Sequence, residues 1–138
     1  MSNFDAGNNG KRHKGFTLIE ILVVMAIIGM LAVMVAPNLF NQRAGAMQDA
    51  ARSQISALEA ALDTYRLDMG DYPDSLQGLV ENESGRAAWN GPYLRRDVPL
   101  DPWGNEYVYD VDGRSFTLVS YGADGERGGE DVDADIGL

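Results

Sequence analysis

The groups able to do chemistry in this 138-residue chain are few, and almost all of them are oxygen. Cysteine is absent, which excludes disulfides, thiolate metal sites and a cysteine nucleophile. The one histidine, His13, sits among Lys11, Arg12 and Lys14. What remains is carboxylates and hydroxyls, and carboxylates stand out in two places. Glu20 is the single charge in the 21-residue run 16–36. Asp124, Glu126, Glu130, Asp131, Asp133 and Asp135 crowd into twelve residues near the other end, opposed by Arg127 alone.

A carboxylate in hydrocarbon costs about 2.5–3.5 kcal/mol on insertion scales. Glu20 therefore needs headgroup water or a cation at its own depth. It lies only about four residues, roughly 6 Å, into the run, so water is within reach. Lys14 is near but prefers water itself. A free amine made by cutting between Gly15 and Phe16 would serve better.

The acidic end has two readings, and its residues leave both open. A like-charged segment with Gly122, Gly125, Gly128 and Gly129 can stay solvated and disordered. Alternatively, several carboxylates on a glycine-rich loop can wrap a hard cation, and calcium takes six to eight oxygens in flexible geometry. Residues 131–135 resemble the start of an EF-hand loop, but position six is Ile136 rather than glycine. A pair such as Asp124 and Asp131 could mimic a hydrolase dyad, yet metal ligands or solvated charges account for them better. Tyr65, Tyr72, Trp89, Tyr93 and Trp103 read as core and loop anchors rather than a sugar platform.

These groups must be carried by a small number of elements. The run 16–36 is long enough, at about 1.5 Å per residue, to span roughly 30 Å of bilayer core. The basic cluster before it keeps that flank cytoplasmic. A cleaved secretory signal is the competing reading, but the apolar stretch is long, Met34-Val35-Ala36 makes a poor small-x-small site, and Pro37 follows directly. A long helix is expected from near Thr17 to about Met69, with a kink or unwinding at Pro37. In its second half Met47, Ala51, Ile55, Leu58, Leu62, Tyr65 and Met69 recur every three or four residues as one apolar stripe. Gly70 ends the helix. Asp74 is expected to cap a short helix through Leu76, Leu79 and Val80. Residues 81–105 read as a long loop, which implies a functional or tightly packed one. Residues 107–111 and 115–120, joined at Asp112-Gly113, predict a β-hairpin.

Charge narrows the functional classes. The net charge is −10. Lys11, Arg12 and Lys14 against Asp5 make the first fifteen residues +2, which leaves −12 for the remainder. Such an acidic body repels phosphates and argues against nucleic-acid binding. No Walker motif and no Gly-x-Gly-x-x-Gly is present, so nothing here binds nucleotide.

Lys14-Gly15-Phe16-Thr17-Leu18-Ile19-Glu20, followed by an unbroken apolar run and Pro37, resembles the processing site of the type IV pilin-like family. Asp101-Pro102-Trp103-Gly104-Asn105-Glu106-Tyr107 is similar to a signature of the major pseudopilins of bacterial type II secretion. So are Tyr72-Pro73, Gln77-Gly78-Leu79, Gly91-Pro92-Tyr93-Leu94 and Ser120-Tyr121-Gly122-Ala123-Asp124-Gly125, in the family's order.

The resemblance implies an α+β, type IV pilin-like fold. Its long N-terminal helix has a membrane-spanning first half and packs on a small antiparallel sheet, with a C-terminal metal-binding loop. It divides the chain into a cleaved cytoplasmic leader 1–15, a transmembrane and assembly helix 16–36 and a periplasmic globular domain 37–138. Within that domain it expects helix 37–69, a variable loop 70–105, a hairpin region 106–120 and an acidic calcium loop 121–138. It implies cleavage by prepilin peptidase between Gly15 and Phe16, N-methylation of Phe16, and assembly through Glu20 and Pro37. It further implies one calcium ion held by Asp124 together with Asp131, Asp133 or Asp135, and possible carbonyl ligands at Val119, Ser120 and Val132. The function implied is that of a non-enzymatic inner-membrane subunit. It would polymerise with itself into a periplasmic pseudopilus, with minor pseudopilins and an inner-membrane assembly platform as partners, and export folded proteins. A pilin of a surface type IV pilus and a membrane-anchored calcium-binding module are the alternatives.

Overall fold

The computed structural model describes residues 15–137 and divides the chain into two compact units, one ending at Leu39 and the other starting at Phe40. The basic cluster at 11–14, and with it most of the expected leader, lies outside the described residues. Helix α1 is Leu18–Met69. Of the kink or unwinding expected at Pro37, unwinding is not found, and the backbone stays helical there. Proline removes one N–H donor from the ladder, and the residues on either side keep the rest of it.

In the first unit the apolar side chains of α1 have no protein to cover them. Large hydrophobic residues from Phe16 to Val35 are 46–85 % exposed. A helix with this much uncovered apolar surface is stable only in lipid or against copies of itself.

In the second unit α1 buries one face through Ala51, Ile55, Leu58, Ala61, Leu62, Tyr65 and Met69. The stripe read from spacing is therefore correct, except that Met47, at its start, is only half-buried. Gly70, at φ +87°, ends the helix in the left-handed region that a Cβ would strain. The guanidinium of Arg86 donates to the Met69 carbonyl at 2.7 Å and pairs with Asp71 at 3.3 Å. A cation thus meets the negative end of the helix dipole.

The short helix after it is a 3-10 turn, α2, Leu76–Leu79, which buries Leu76 and Leu79. Asp74 does not cap it. Ser75 holds the N-cap position in an extended conformation without a side-chain cap bond, and its hydroxyl donates instead to Glu83 at 2.8 Å. The long connection to the hairpin is pinned at a few points, although residues 81–88 are exposed. Trp89 Nε1 donates to the Gly78 carbonyl at 2.9 Å, and the Tyr93 amide donates to the Leu79 carbonyl at 2.7 Å. The Tyr93 ring meets Tyr65 and Trp89 edge-on at 5.5 and 5.8 Å.

Strands β1 (Val108–Asp112) and β2 (Ser115–Val119) pair antiparallel, with Tyr109 opposite Leu118 and Val111 opposite Phe116. The turn is Gly113-Arg114, one residue later than expected. Asp112 is paired with Ser115, and only Gly113 has positive φ, +57°. A glycine at the first central position suits the II′ turn of a two-residue hairpin. Leu118 joins the helical face in one core with Tyr107, Leu79 and Ile136. Burial pushes the phenols of Tyr107 and Tyr109 up to about 12, with Asp101 adding to the first and Asp74 to the second. Both therefore remain neutral donors near neutral pH, Tyr107 to Gln54 and Tyr109 to the Pro73 carbonyl at 2.7 Å.

Candidate functional site

The N-terminal site begins where α1 begins. Gly15 stands in open surroundings, and Phe16 is 85 % exposed. Thr17 is the N-cap. Its Oγ1 accepts from the Glu20 amide at 3.3 Å, while Glu20 Oε2 accepts from the Thr17 amide at 3.2 Å. This reciprocal arrangement is a capping box, and it satisfies two of the orphan donors at a helix start. Thr17-x-x-Glu20 was legible as such a box, although spacing singled out only Glu20. The box also answers the cost of a carboxylate in an apolar run. Glu20 is hydrogen-bonded to main chain at the positive end of its own helix and aims back toward Phe16, whose amine cutting after Gly15 would free. Pro37 lies within the same helix and touches none of these groups.

The C-terminal segment is ordered and folds back. Ser120 and Ile136 exchange both main-chain hydrogen bonds at 2.9 Å, and Ile136 enters the core. Residues 121–137 are thus folded back rather than disordered, while 123–131 are exposed to solvent. A 3-10 turn, α3, spans Asp131–Asp133. The loop closes on itself through glycine. A Cβ on Gly122, at φ +76°, would stand 2.8 Å from the Val132 oxygen and 3.0 Å from the Ala134 oxygen.

The four candidate aspartates do not form a ready cage. Asp124 Oδ1 accepts from the Glu126 amide at 3.0 Å, and both oxygens of Asp135 accept from the Gly128 amide at 3.0 Å. Asp131 is exposed and has φ +52°, and Asp133 is half-buried. Of the candidate carbonyls, Ser120 accepts from Ile136 and Val132 from Ala123, and Val119 lies in β2 opposite Val108. Among the described residues no three acidic or histidine side chains converge. The donor set nevertheless fits a hard cation, since it is all oxygen and main-chain carbonyls crowd around Gly122.

Spacing missed the group that holds this end together. Asp101 is only 4 % exposed. Its Oδ1 accepts from the amides of Trp103 at 3.1 Å and Asn105 at 2.8 Å, and its Oδ2 accepts from the hydroxyl of fully buried Ser120 at 2.7 Å. The Ser120 oxygen in turn accepts from the Gly122 amide at 3.3 Å. An Asp-Pro turn start was the available signal. The partnership with Ser120 had none, because the two are nineteen residues apart. Trp103, read as a structural anchor, packs half-buried against the core.

Residues 38–138 match the family described as type II secretion system (T2SS), protein G, and residues 10–36 match the prokaryotic N-terminal methylation motif. A type II secretion system core protein G of Pseudomonas aeruginosa is 44 % identical over 135 residues, covering 92 % of this chain and 95 % of the relative. That of Vibrio cholerae is 44 % identical, covering 92 % of each. The crystal structure of the major pseudopilin from the type 2 secretion system of enterohaemorrhagic Escherichia coli superposes with a TM-score of 0.54. It is 34 % identical, and the match covers 72 % of this chain and 92 % of that one.

Proposed function

The chain belongs to the type II secretion system protein G family, the major pseudopilins, and from that premise we propose how its parts serve assembly. It is a structural subunit of a pseudopilus rather than an enzyme, and its long apolar N-terminal helix anchors it to a membrane. In the proposed cycle the leader stays cytoplasmic while the helix crosses the inner membrane and the globular unit lies in the periplasm. Prepilin peptidase cuts between Gly15 and Phe16 and methylates the new amine, and methylation keeps its charge. The inner-membrane assembly platform then packs the helix against copies of itself, below minor pseudopilins, and the growing filament drives folded proteins across the outer membrane.

The observation that carries this reading is the uncovered apolar helix headed by one carboxylate. Burying it among identical helices covers its apolar side chains and sets Glu20 of one subunit beside the Phe16 amine of another. Produced with prepilin peptidase and the assembly platform, the chain should appear in filaments beginning at Phe16. Chains that are processed and membrane-inserted yet never polymeric would sink the reading.

We also propose that the C-terminal loop takes one calcium ion, with Asp124 as a ligand and Asp131, Asp133 or Asp135 as the second carboxylate. An all-oxygen loop without a disulfide supports this, since an ion would add a clip to a segment otherwise held by hydrogen bonds alone. Thermal unfolding of residues 38–138 should rise in calcium, far less in magnesium. At about a hundred times the dissociation constant the gain is about 2.7 kcal/mol, or roughly 10–20 °C for a domain of this size. Asp124→Asn keeps the acceptor for the Glu126 amide and should lose most of that rise. Equal midpoints in calcium and chelator would remove the ion from the account.

A further inference from the structure

We propose that two carboxamides, Gln48 and Asn105, are positioning residues for the C-terminal loop, each holding one of its main-chain carbonyls so that the loop's aspartates are placed for a cation without a charged tie to them. The proposal rests on the calcium reading above.

Six carboxylates within twelve residues repel one another, and the amide bonds that Asp124 and Asp135 accept come from within the loop, so holding the loop to the rest of the domain needs other ties. Ion pairs do not supply these ties. Among the described residues the two pairs are Arg52–Asp49 and Arg86–Asp71, both outside the loop. Two amide donors stand where ties are required. Gln48, on α1, donates through Nε2 to the carbonyl of Asp131, eighty-three residues away. Asn105 donates through Nδ2 to the carbonyl of Gly122 at 3.1 Å.

Both donors rise from ordered backbone. Gln48 rises from a helix whose next turn is in the core. Asn105 is clamped to Asp101 in both directions, its amide donating to the carboxylate and its carbonyl accepting from the Asp101 amide, each at 2.8 Å. The loop also packs directly on it, since a Cβ at Gly125 would lie 3.3 Å from the Asn105 carboxamide. Both targets are conformationally special. Asp131 is the one non-glycine residue with positive φ among those described, and Gly122 is the glycine around which the carbonyls crowd. Asp124 lies between Gly122 and Gly125, so Asn105 sets its place, and Gln48 sets that of Asp131. A neutral amide suits this work, because it grips a carbonyl and neither attracts a carboxylate into a salt bridge nor repels the ion.

Asn105→Asp and Gln48→Glu test the idea, because each keeps the side chain's shape, deletes the donor and adds a negative charge. If only the field at the loop mattered, both would bind calcium more tightly. If positioning matters, both bind more weakly despite the added charge. Calorimetric titration of the full chain in detergent with calcium chloride should give dissociation constants raised roughly tenfold or more, the usual cost of losing an outer partner of a metal ligand. Circular dichroism in chelator confirms that each variant is folded, and should Asn105→Asp fail to fold, Gln48→Glu carries the test alone. A folded variant that binds calcium as tightly as the parent overturns the proposal while leaving the calcium site standing. A parent chain that binds no calcium overturns both.

Discussion

Subunits carrying Glu20→Ala are expected to insert into the membrane, to be cut after Gly15 and then to stop short of assembly. Insertion should become easier, since a side chain costing about 2.5–3.5 kcal/mol in hydrocarbon is gone. Assembly should fail because the freed Phe16 ammonium of one subunit loses its partner on the next. Breaking a buried pair leaves one charge uncompensated at a cost of about 3–5 kcal/mol, and a filament repeats that cost at every subunit. Glu20→Gln separates the two roles of the carboxylate. It can still accept from the Thr17 amide and so keeps the capping box, but it carries no charge. Electron microscopy of cells making processed protein is the measurement. Filaments at normal yield from either variant would show that Glu20 caps its own helix and does nothing between subunits.

The second large effect belongs to Asp101→Ala in the globular unit. That carboxylate is the shared acceptor for Ser120 Oγ, the Trp103 amide and the Asn105 amide. Removing it orphans three donors at once, one of them on a residue with no exposure. A buried donor without a partner costs about 1–3 kcal/mol. Allowing for water at the two half-buried amides, the sum is about 3 kcal/mol, which lowers the melting midpoint by roughly 12–24 °C for a domain of this size. Asp101→Asn retains one acceptor oxygen and should fall between. Differential scanning calorimetry in chelator isolates the effect from any ion, and a midpoint within two or three degrees of the parent (about 0.5 kcal/mol) would show that solvent replaces the lost acceptor.

The two predictions also mark where reading the chain succeeded and where it could not. Glu20 declared itself because a charge in an apolar run is anomalous on local grounds alone. Its capping partner, three residues away, was equally local. Asp101 is one acidic residue among many, and nothing nearby distinguishes a buried carboxylate from a solvated one. The same holds for Gln48 and Asn105, whose partners lie eighty-three and seventeen residues away. The hairpin was legible but its turn was not, because Asp112-Gly113 and Gly113-Arg114 both offer a glycine, and the register that buries Leu118 chooses between them.

The amino-acid sequence by itself determined the elements and the function. The α1 helix, its uncovered apolar half, its buried stripe, its stop at Gly70 and the hairpin all follow from periodicity and turn chemistry, which act over a few residues. The N-terminal methylation motif is likewise contiguous in the chain. Tertiary structure alone decided that the acidic end folds back, that Ser120 and Ile136 pair, that Asp101 is buried and that carboxamides tie the loop. Those outcomes depend on which donor meets which acceptor once the core has closed, and hydrogen-bond partners far apart in sequence leave no periodic trace in it.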